Sequence, residues 1–178
     1  PVKLDEKKIY PIENYGSAMA PFYSTLAIWV GAVVMAAMLK VTVADSTKKI
    51  LFHPKEYQLY IGRILLLIII GFMQSALICL GDLFFLGIQC KHPVMFVLTG
   101  MFTSFVYVNL IYALTVSFGD IGKAIAVVLM VMQVAGSGGT FPIQCAPKFF
   151  QVVYPLLPFT HSMAAMRETV GGMYGMDY

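Results

Sequence analysis

The sequence predicts an all-α integral membrane protein with four transmembrane helices. Of the 178 residues, 59% are hydrophobic and 12% are charged, and the mean hydropathy is +0.79, whereas soluble domains are about half apolar and a quarter charged. The apolar residues form runs of about 20, the length that crosses the hydrocarbon core of a bilayer. Prolines and glycines then interrupt the chain after residue 135, which indicates that this stretch is a re-entrant hairpin and not a straight span.

Residues 1–16 are polar and charged and contain Pro11, so we expect them to be the end of an extracellular domain. The first span is predicted at about residues 17–39. Ala27 and Gly31, and again Ala32 and Ala36, are small residues four apart. They either form a face that lets another helix approach closely, or are the ordinary small-residue content of a span.

Residues 40–63 mix charged and apolar side chains and are broken at Pro54, which predicts an amphipathic segment at the membrane surface. This segment is the most basic part of the chain. By the positive-inside rule it is cytoplasmic. Its basic residues are Lys40, Lys48, Lys49, Lys55 and Arg63, against the acidic Asp45 and Glu56.

Three further spans are predicted at about 64–88, 94–118 and 121–140. The crossings then place the loop around His92 outside and the turn around Gly122 inside. Asp82 falls near the outer interface, where it is either a solvated carboxylate or a functional group. Gln74, Asn109 and Gln133 fall at middle depths, where we expect hydrogen bonds between helices, with substrate contact as the alternative.

The tail, residues 141–178, is predicted to be an extracellular re-entrant hairpin of two short helices. We expect the first helix at Ala146–Tyr154, with an apolar face and with Pro155 as its end. We expect Thr160 or Ser162 to cap the second helix, and Gly171–Gly172 to close it. Arg167 and Glu168 would lie at the outer interface as an anchor and a charge pair, or act in gating.

No residue pattern indicates an enzyme, and we expect no catalytic residue, no cofactor and no metal. Asp82 and the three histidines fall on different faces or loops, so no nucleophile and base are brought together. The spacing of Cys79, Cys90 and Cys145 matches no metal site, and a disulfide between Cys90 and Cys145 stays open. The net charge of +3 is carried by loops beside apolar runs, which favours contact with lipid headgroups and not with nucleic acid.

The run from Phe118 to Gly175, FGDIGKAIAVVLMVMQVAGSGGTFPIQCAPKFFQVVYPLLPFTHSMAAMRETVGGMYG, closely resembles the carboxy-terminal membrane region of the YhgE/Pip (phage infection protein) family of the ABC-2 permease superfamily. The resemblance is carried by Gly138-Gly139, Phe141-Pro142, Pro147, Pro158 and Arg167. Cys145 and Ala146 depart from the usual pattern. The resemblance extends over nearly the whole chain.

The family resemblance implies an ABC-2 permease-like fold and two sets of functional residues. One set would act as a coupling segment that touches an ATPase: Phe52, Pro54, Tyr57, Tyr60 and Arg63. The other would build or gate the outer hairpin: Gly136, Gly138, Gly139, Phe141, Pro142, Pro147, Pro155, Pro158 and Arg167. It also implies that the chain is a fragment, with a first span and an extracellular domain before Pro1 and a last span after Tyr178.

The resemblance further implies a function: the permease subunit of an ABC-2-type exporter in a bacterial plasma membrane of the Gram-positive type. The permease would work as a homodimer with a separate ABC ATPase, since no nucleotide-binding motif is present. No substrate is indicated. The alternative is a membrane anchor or surface receptor used in phage infection, or a scaffold associated with secretion.

Overall fold

The computed structural model describes Ile12 and residues 14–39, 55–139 and 141–172. Within these residues the chain forms helices and connecting loops, with no strand. Two short 3₁₀ turns, Ile143–Cys145 and Tyr154–Leu156, flank the fifth α-helix. The α-helices in order are α1 (Tyr15–Met38), α2 (Glu56–Phe84), α3 (Pro93–Phe118), α4 (Asp120–Gly136), α5 (Lys148–Val153) and α6 (Pro158–Gly171).

Three helices, α1, α2 and α3, are long and apolar enough to cross a bilayer. The predicted fourth span forms α4, which has 17 residues and ends at Gly136, four residues before the predicted end. At 1.5 Å per residue α4 is about 26 Å long. The described residues therefore show three helices of spanning length, with a shorter fourth helix beside them.

Helix α2 differs from the prediction at its start. It begins at Glu56 and runs without a break to Phe84, so residues 56–63 continue directly into the span. Residues 40–54, the first part of the predicted amphipathic segment, lie outside the described residues. The reason for the continuous helix is that residues 56–63 contain no proline, and Lys55 supplies the cap: the Lys55 N–H donates to Gln58 Oε1 at 3.0 Å.

The core is built around α1, which packs against α2, α3, α4 and α6. Trp29 is fully buried at its centre. The Trp29 indole N–H donates to the carbonyl oxygen of Ala126 in α4 at 3.3 Å, and its ring meets the Tyr107 ring of α3 edge to face, with centroids 4.8 Å apart. One side chain thus joins three helices.

The small residues of α1 form a packing face. Ala32 and Ala36 are buried. A Cβ on Gly31 would lie 1.6 Å from the Gln74 amide nitrogen, so glycine is needed for α2 to come this close. Gln74 Nε2 donates to the Ala27 carbonyl oxygen at 3.2 Å, which confirms the predicted hydrogen bond between helices.

The outward side of α2 is a stripe of apolar side chains with a helical period. This stripe faces away from the other helices, as expected for a surface in contact with acyl chains. Its exposed members are Ile61, Leu65, Ile69, Met73, Leu77 and Phe84.

The helices define two ends of the bundle. At one, here called the hairpin end, lie the start of α1, the end of α2 and the start of α3; the Gln89 N–H of the α2–α3 loop donates to Ser17 Oγ of α1 at 3.0 Å. At the other, here called the turn end, lie the end of α1, the start of α2 and the Gly119 turn between α3 and α4. Just after that turn, Lys123 pairs with Asp120 within the first turn of α4, at 2.9 Å.

The turn between α3 and α4 supplies the first test. A Cβ on Gly122 would lie 2.0 Å from the backbone oxygen of Leu114, and a backbone atom cannot move aside as a side chain can. We expect Gly122→Ala to lower the free energy of unfolding by about 2 kcal/mol, as overpacking does. The measurement is the thermal unfolding midpoint of the detergent-solubilised protein.

The control is Gly62→Ala, because Gly62 is also helical but has no heavy atom within 4 Å of its Cβ position. Alanine favours helix there, so the midpoint should stay or rise. Equal midpoints for the two variants would show that the α3–α4 contact is not as close as described.

Candidate functional site

The end of α6 is fixed to the loop between α2 and α3. The backbone N–H of His92 donates to the Thr169 carbonyl oxygen at 3.1 Å, and that of Lys91 donates to the Val170 carbonyl oxygen at 3.3 Å. These are carbonyls of the last turn, which have no partner inside their own helix. Gly172, with φ of 102°, then ends the helix, as the sequence predicted.

The start of α6 differs from the prediction that Thr160 or Ser162 caps it. The helix begins at Pro158 with Leu157 in the cap position, and no side chain bonds to the free N–H groups. Proline is favoured at a first helical position because its φ is already helical and its N–H is absent. The Ser162 hydroxyl donates instead to the Pro158 carbonyl oxygen, at 3.0 Å.

The glycines after α4 bring the segment predicted as a hairpin, residues 141–172 and here called the hairpin, against α1. Gly138 has φ of 65°, a conformation that glycine adopts without strain. A Cβ on Gly139 would lie 2.1 Å from the Phe22 ring of α1. Phe22 also meets Phe159 of α6, with ring centroids 5.6 Å apart. Gly136 also lies close to side chains, because its Cβ position would be 3.0 Å from Phe150 and 3.3 Å from Leu157. Close approach therefore requires glycine at 139 and favours it at 136, whereas backbone conformation favours it at 138.

The first arm of the hairpin, residues 141–156, is mostly exposed. Its helix α5 is shorter than predicted, at Lys148–Val153, and Pro155 does not end the helical stretch but lies within the following 3₁₀ turn. Pro155 can do so because a proline is tolerated in a first turn. Its carbonyl oxygen lies 2.9 Å from His161 Nε2. The exposed apolar side chains of this arm are Phe141, Phe149, Val152 and Leu156.

Other predicted hairpin residues mark the beginnings of its elements. Pro142 precedes the first 3₁₀ turn and Pro147 precedes α5. A proline favours extended backbone in the residue before it, so each helical element begins only after its proline. Gln151 Nε2 donates to the carbonyl oxygens of Ala146 at 2.8 Å and Gln144 at 3.3 Å. This amide holds the arm together.

Arg167 lies at the centre of the hairpin end. Its Nη2 is 3.5 Å from the carbonyl oxygens of both Gly138 and Gly139, so it ties α6 to the segment that follows α4. The neighbouring Glu168 is fully buried, not placed at an open interface as the sequence predicted. The reason is that α6 turns this side toward the bundle.

A groove of about 700 Å³ separates α3 from α6. Most of its wall is apolar, and its polar members are mainly occupied: the hydroxyls of Thr99 and Ser162 donate to carbonyl oxygens of their own helices. Its lining includes Leu98, Phe102 and Val106 from α3 and Pro158, His161 and Ala165 from α6. It offers space for apolar groups and few free hydrogen-bonding atoms.

The polar residues that the sequence places within the membrane spans differ in their hydrogen-bond partners. Asp82 accepts a hydrogen bond from the Ser24 hydroxyl of α1, so it links two helices near the hairpin end. Asn109 is half-buried and its amide donates to the Phe105 carbonyl of its own helix at 2.7 Å, which contradicts a link between helices. Gln133 is buried and neither of its polar side-chain atoms bonds to a group that the structure describes.

Of the predicted coupling residues, Phe52 and Pro54 lie outside the described residues. Tyr57 is 56% exposed at the turn end. The Tyr60 ring lies beside the Tyr112 ring, with centroids 4.9 Å apart, and its carbonyl oxygen accepts from the Tyr112 hydroxyl at 3.3 Å. Tyr60 therefore fixes the start of α2 against α3, and Tyr57 is free to touch another surface.

The described residues contain no group of three or more His, Cys, Asp or Glu side chains that could hold a metal ion. The three cysteines are free thiols. Sequence reasoning missed Phe22, because one aromatic residue among many gives no local signal of burial, and it gave Thr160 the role of a cap, whereas Thr160 is buried.

Comparisons with known proteins now decide the family. A family model described as "ABC-2 family transporter protein" matches residues 1–178. The chain belongs to the ABC-2 transporter family. It is also 27% identical over 171 residues to the "Uncharacterized protein YhgE" of Bacillus subtilis (strain 168), a match that covers 96% of the chain and 21% of the relative. No solved structure matches.

The family assignment confirms the YhgE-like resemblance and makes this ABC-2 chain a multi-pass membrane protein of permease type. Proteins of this type are generally the membrane component of a transporter and not its catalytic part. The chain spans about a fifth of the length of the curated relative that it matches.

The contact between Phe22 and the hairpin supplies the second test. Phe22 is buried against Gly139 and Phe159, whereas its neighbour Tyr23 is exposed. We expect Phe22→Ala to cost about 3 kcal/mol of stability, as removal of a buried aromatic ring does. The measurement is the unfolding free energy in detergent, with Tyr23→Ala as the matched control expected to change little. A larger effect for Tyr23→Ala would contradict the packing.

Proposed function

We propose that the chain is the membrane-embedded permease part of an ABC-2-type exporter, driven by an ABC ATPase on another chain. The observation that carries this proposal is the arrangement of two features at opposite ends of one bundle. The exposed Tyr57 and the basic start of α2 lie at the turn end. The segment of short helical elements that leads into α6 lies at the hairpin end. A transporter of this type needs its contact with the ATPase and the outer opening of its transport path at opposite ends.

Helix α2 connects these two ends. It is a single helix of 29 residues, which is about 43 Å long at 1.5 Å per residue. At the turn end Tyr60 ties it to α3, and at the hairpin end Asp82 ties it to Ser24 of α1. A displacement of its first turn is therefore transmitted to α1, whose Phe22 supports the hairpin.

The orientation follows from charge. Lys55, Arg63 and Lys123 lie at the turn end, and the sequence that leads into Lys55 carries further lysines at 40, 48 and 49, so we infer by the positive-inside rule that the turn end is cytoplasmic. Helix α4 is then the fourth crossing, since about 17 residues suffice for the thinnest spans. The hairpin of residues 141–172 faces outward, in the plasma membrane of a Gram-positive bacterium such as the source of the YhgE relative.

We further propose that two copies form a homodimer and that an ABC ATPase binds at the turn end through the predicted coupling residues: Phe52, Pro54, Tyr57, Tyr60 and Arg63. The predicted hairpin residues act at the other end as the outer closure: Gly136, Gly138, Gly139, Phe141, Pro142, Pro147, Pro155, Pro158 and Arg167. The interpretation as a phage receptor or secretion scaffold stays a prediction from the family resemblance.

Tyrosines at the two ends provide a matched test of the ATPase contact. Tyr57 is 56% exposed at the turn end and Tyr15 is 79% exposed at the hairpin end. Because only the turn end meets the ATPase, Tyr57→Ala in the full-length protein should reduce co-purification of an ABC ATPase and the associated vanadate-sensitive ATP hydrolysis several-fold. Tyr15→Ala should change neither.

Failure of the full-length wild-type protein to associate with any nucleotide-binding subunit would overturn the exporter proposal. Equal losses for Tyr57→Ala and Tyr15→Ala would show that the loss reflects damage to the fold and not a lost ATPase contact.

The native cysteines test the orientation. Cys145 is exposed in the hairpin and Cys90 is half-buried in the α2–α3 loop, so a membrane-impermeant maleimide should label both in intact cells. Burial raises the pKa of the Cys90 thiol, and the backbone of His92 offsets this only in part. Since the thiolate reacts, labelling of a variant that retains only Cys90 should be slow at neutral pH and should accelerate toward its raised pKa. Labelling of Cys145 only after permeabilisation would reverse the orientation.

A further inference from the structure

Three polar side chains lie buried where the end of α4 meets the start of α6. Gln133 is 1% exposed, Ser137 is 0% exposed and Thr160 is 4% exposed. Neither polar atom of the Gln133 amide, nor the hydroxyl oxygen of Ser137 or Thr160, forms a hydrogen bond with any group in the described part of the chain. We call these three residues the polar junction.

The positions of the three residues bring them to the same region. Gln133 and Ser137 are four residues apart and lie on one face of α4. Thr160 and Arg167 are two turns apart and lie on one face of α6. Arg167 bonds to the carbonyl oxygens of Gly138 and Gly139, so this face of α6 is turned toward the end of α4. The Leu157 side chain lies 3.3 Å from the Cβ position of Gly136, which places the start of α6 there as well.

Among the described residues, the buried polar side chains without a hydrogen-bond partner are the three of the polar junction and the Tyr107 hydroxyl of α3. Other buried hydroxyls within its helices, such as those of Thr25 and Thr115, donate to the carbonyl oxygen four residues earlier. A buried polar group without a partner is costly, and native structures contain few of them. Three together point to a state of the protein in which these groups are occupied.

The chemistry of the junction defines what it would bind. An amide and two hydroxyls offer both donors and acceptors and carry no charge. We propose that Gln133, Ser137 and Thr160 form a binding site for an uncharged, hydroxyl-bearing group of the transported molecule. The hydrogen bonds of Arg167 to Gly138 and Gly139 close this site. The assignment of a transported ligand rests on the exporter function proposed above.

Arg167 suits the role of a closing contact. Its two bonds to the glycine carbonyls are long, at 3.5 Å, and the segment that they hold has no side chains of its own to pack. Breaking them would free the segment at Gly138 and Gly139 to move away from α6, which stays fixed by the bonds of Lys91 and His92. The polar junction would then open toward the hairpin end.

Thiol accessibility in the full-length detergent-solubilised protein tests the closure. Single-cysteine variants Gln133→Cys, Ser137→Cys and Thr160→Cys, with the native cysteines replaced by alanine, should react slowly with a water-soluble methanethiosulfonate reagent. Adding Arg167→Gln should accelerate these reactions about tenfold, the factor expected for loss of about one hydrogen bond to a charged group. Arg167→Lys, which keeps the charge but loses the planar fork, should give an intermediate rate.

The control is a variant that retains only Cys79, which is fully buried in an apolar part of the core. Its reaction rate should not respond to Arg167→Gln. Unchanged rates at the three junction positions would overturn the closure by Arg167. An equal acceleration at Cys79 would also overturn it, because the protein would then be loosened throughout.

The ligand class is tested by protection of Thr160→Cys in the Arg167→Gln background. Glucose should slow the reaction, and inorganic phosphate should not. Protection by phosphate alone would show that the junction binds an anion and not the proposed uncharged group. Protection by neither compound would show that the junction is only a hydrated space. Both measurements are made without an ATPase, so their failure is distinct from failure of the exporter proposal.

Discussion

Backbone that leaves the helical form inside a membrane domain needs partners from the rest of the protein, because lipid offers none. The chain after α4 meets this requirement with backbone N–H groups of Lys91 and His92 on the last carbonyls of α6, and with Arg167 on the carbonyls of Gly138 and Gly139. The position of α6 depends on these bonds, and so does the shape of the hairpin end.

Close packing supplies the remaining stability. Between helices in a bilayer the driving force is van der Waals contact, so small residues at the contact matter most. The Gln74 amide packs against Gly31, the backbone of α3 packs against Gly122, and the Phe22 ring packs against Gly139. Helix α1 takes part in two of these three contacts, which explains why it touches both the long spans and the hairpin.

The same contacts give the ABC-2 chain a path for mechanical coupling. The start of α2 is tied to α3 by Tyr60, and its end is tied to α1 by Asp82 and Ser24. Helix α1 then supports the hairpin through Phe22. A rigid helix with fixed contacts at both ends transmits a displacement that a flexible loop would dissipate. The proposed permease function and the proposed closure of the polar junction would both use this route.

The sequence by itself determined the helical membrane class, the places of the apolar helices and the closing glycines of α6, because length, hydropathy and φ preference are local properties. It also identified the family through the spaced prolines and glycines of residues 136–167. Only the tertiary structure decided that Pro158 and not Thr160 begins α6, that the Asn109 amide bonds within its own helix, and that Gln133, Ser137 and Thr160 are buried. These outcomes depend on contacts between distant segments, and no local pattern encodes which side chain a neighbouring helix will cover.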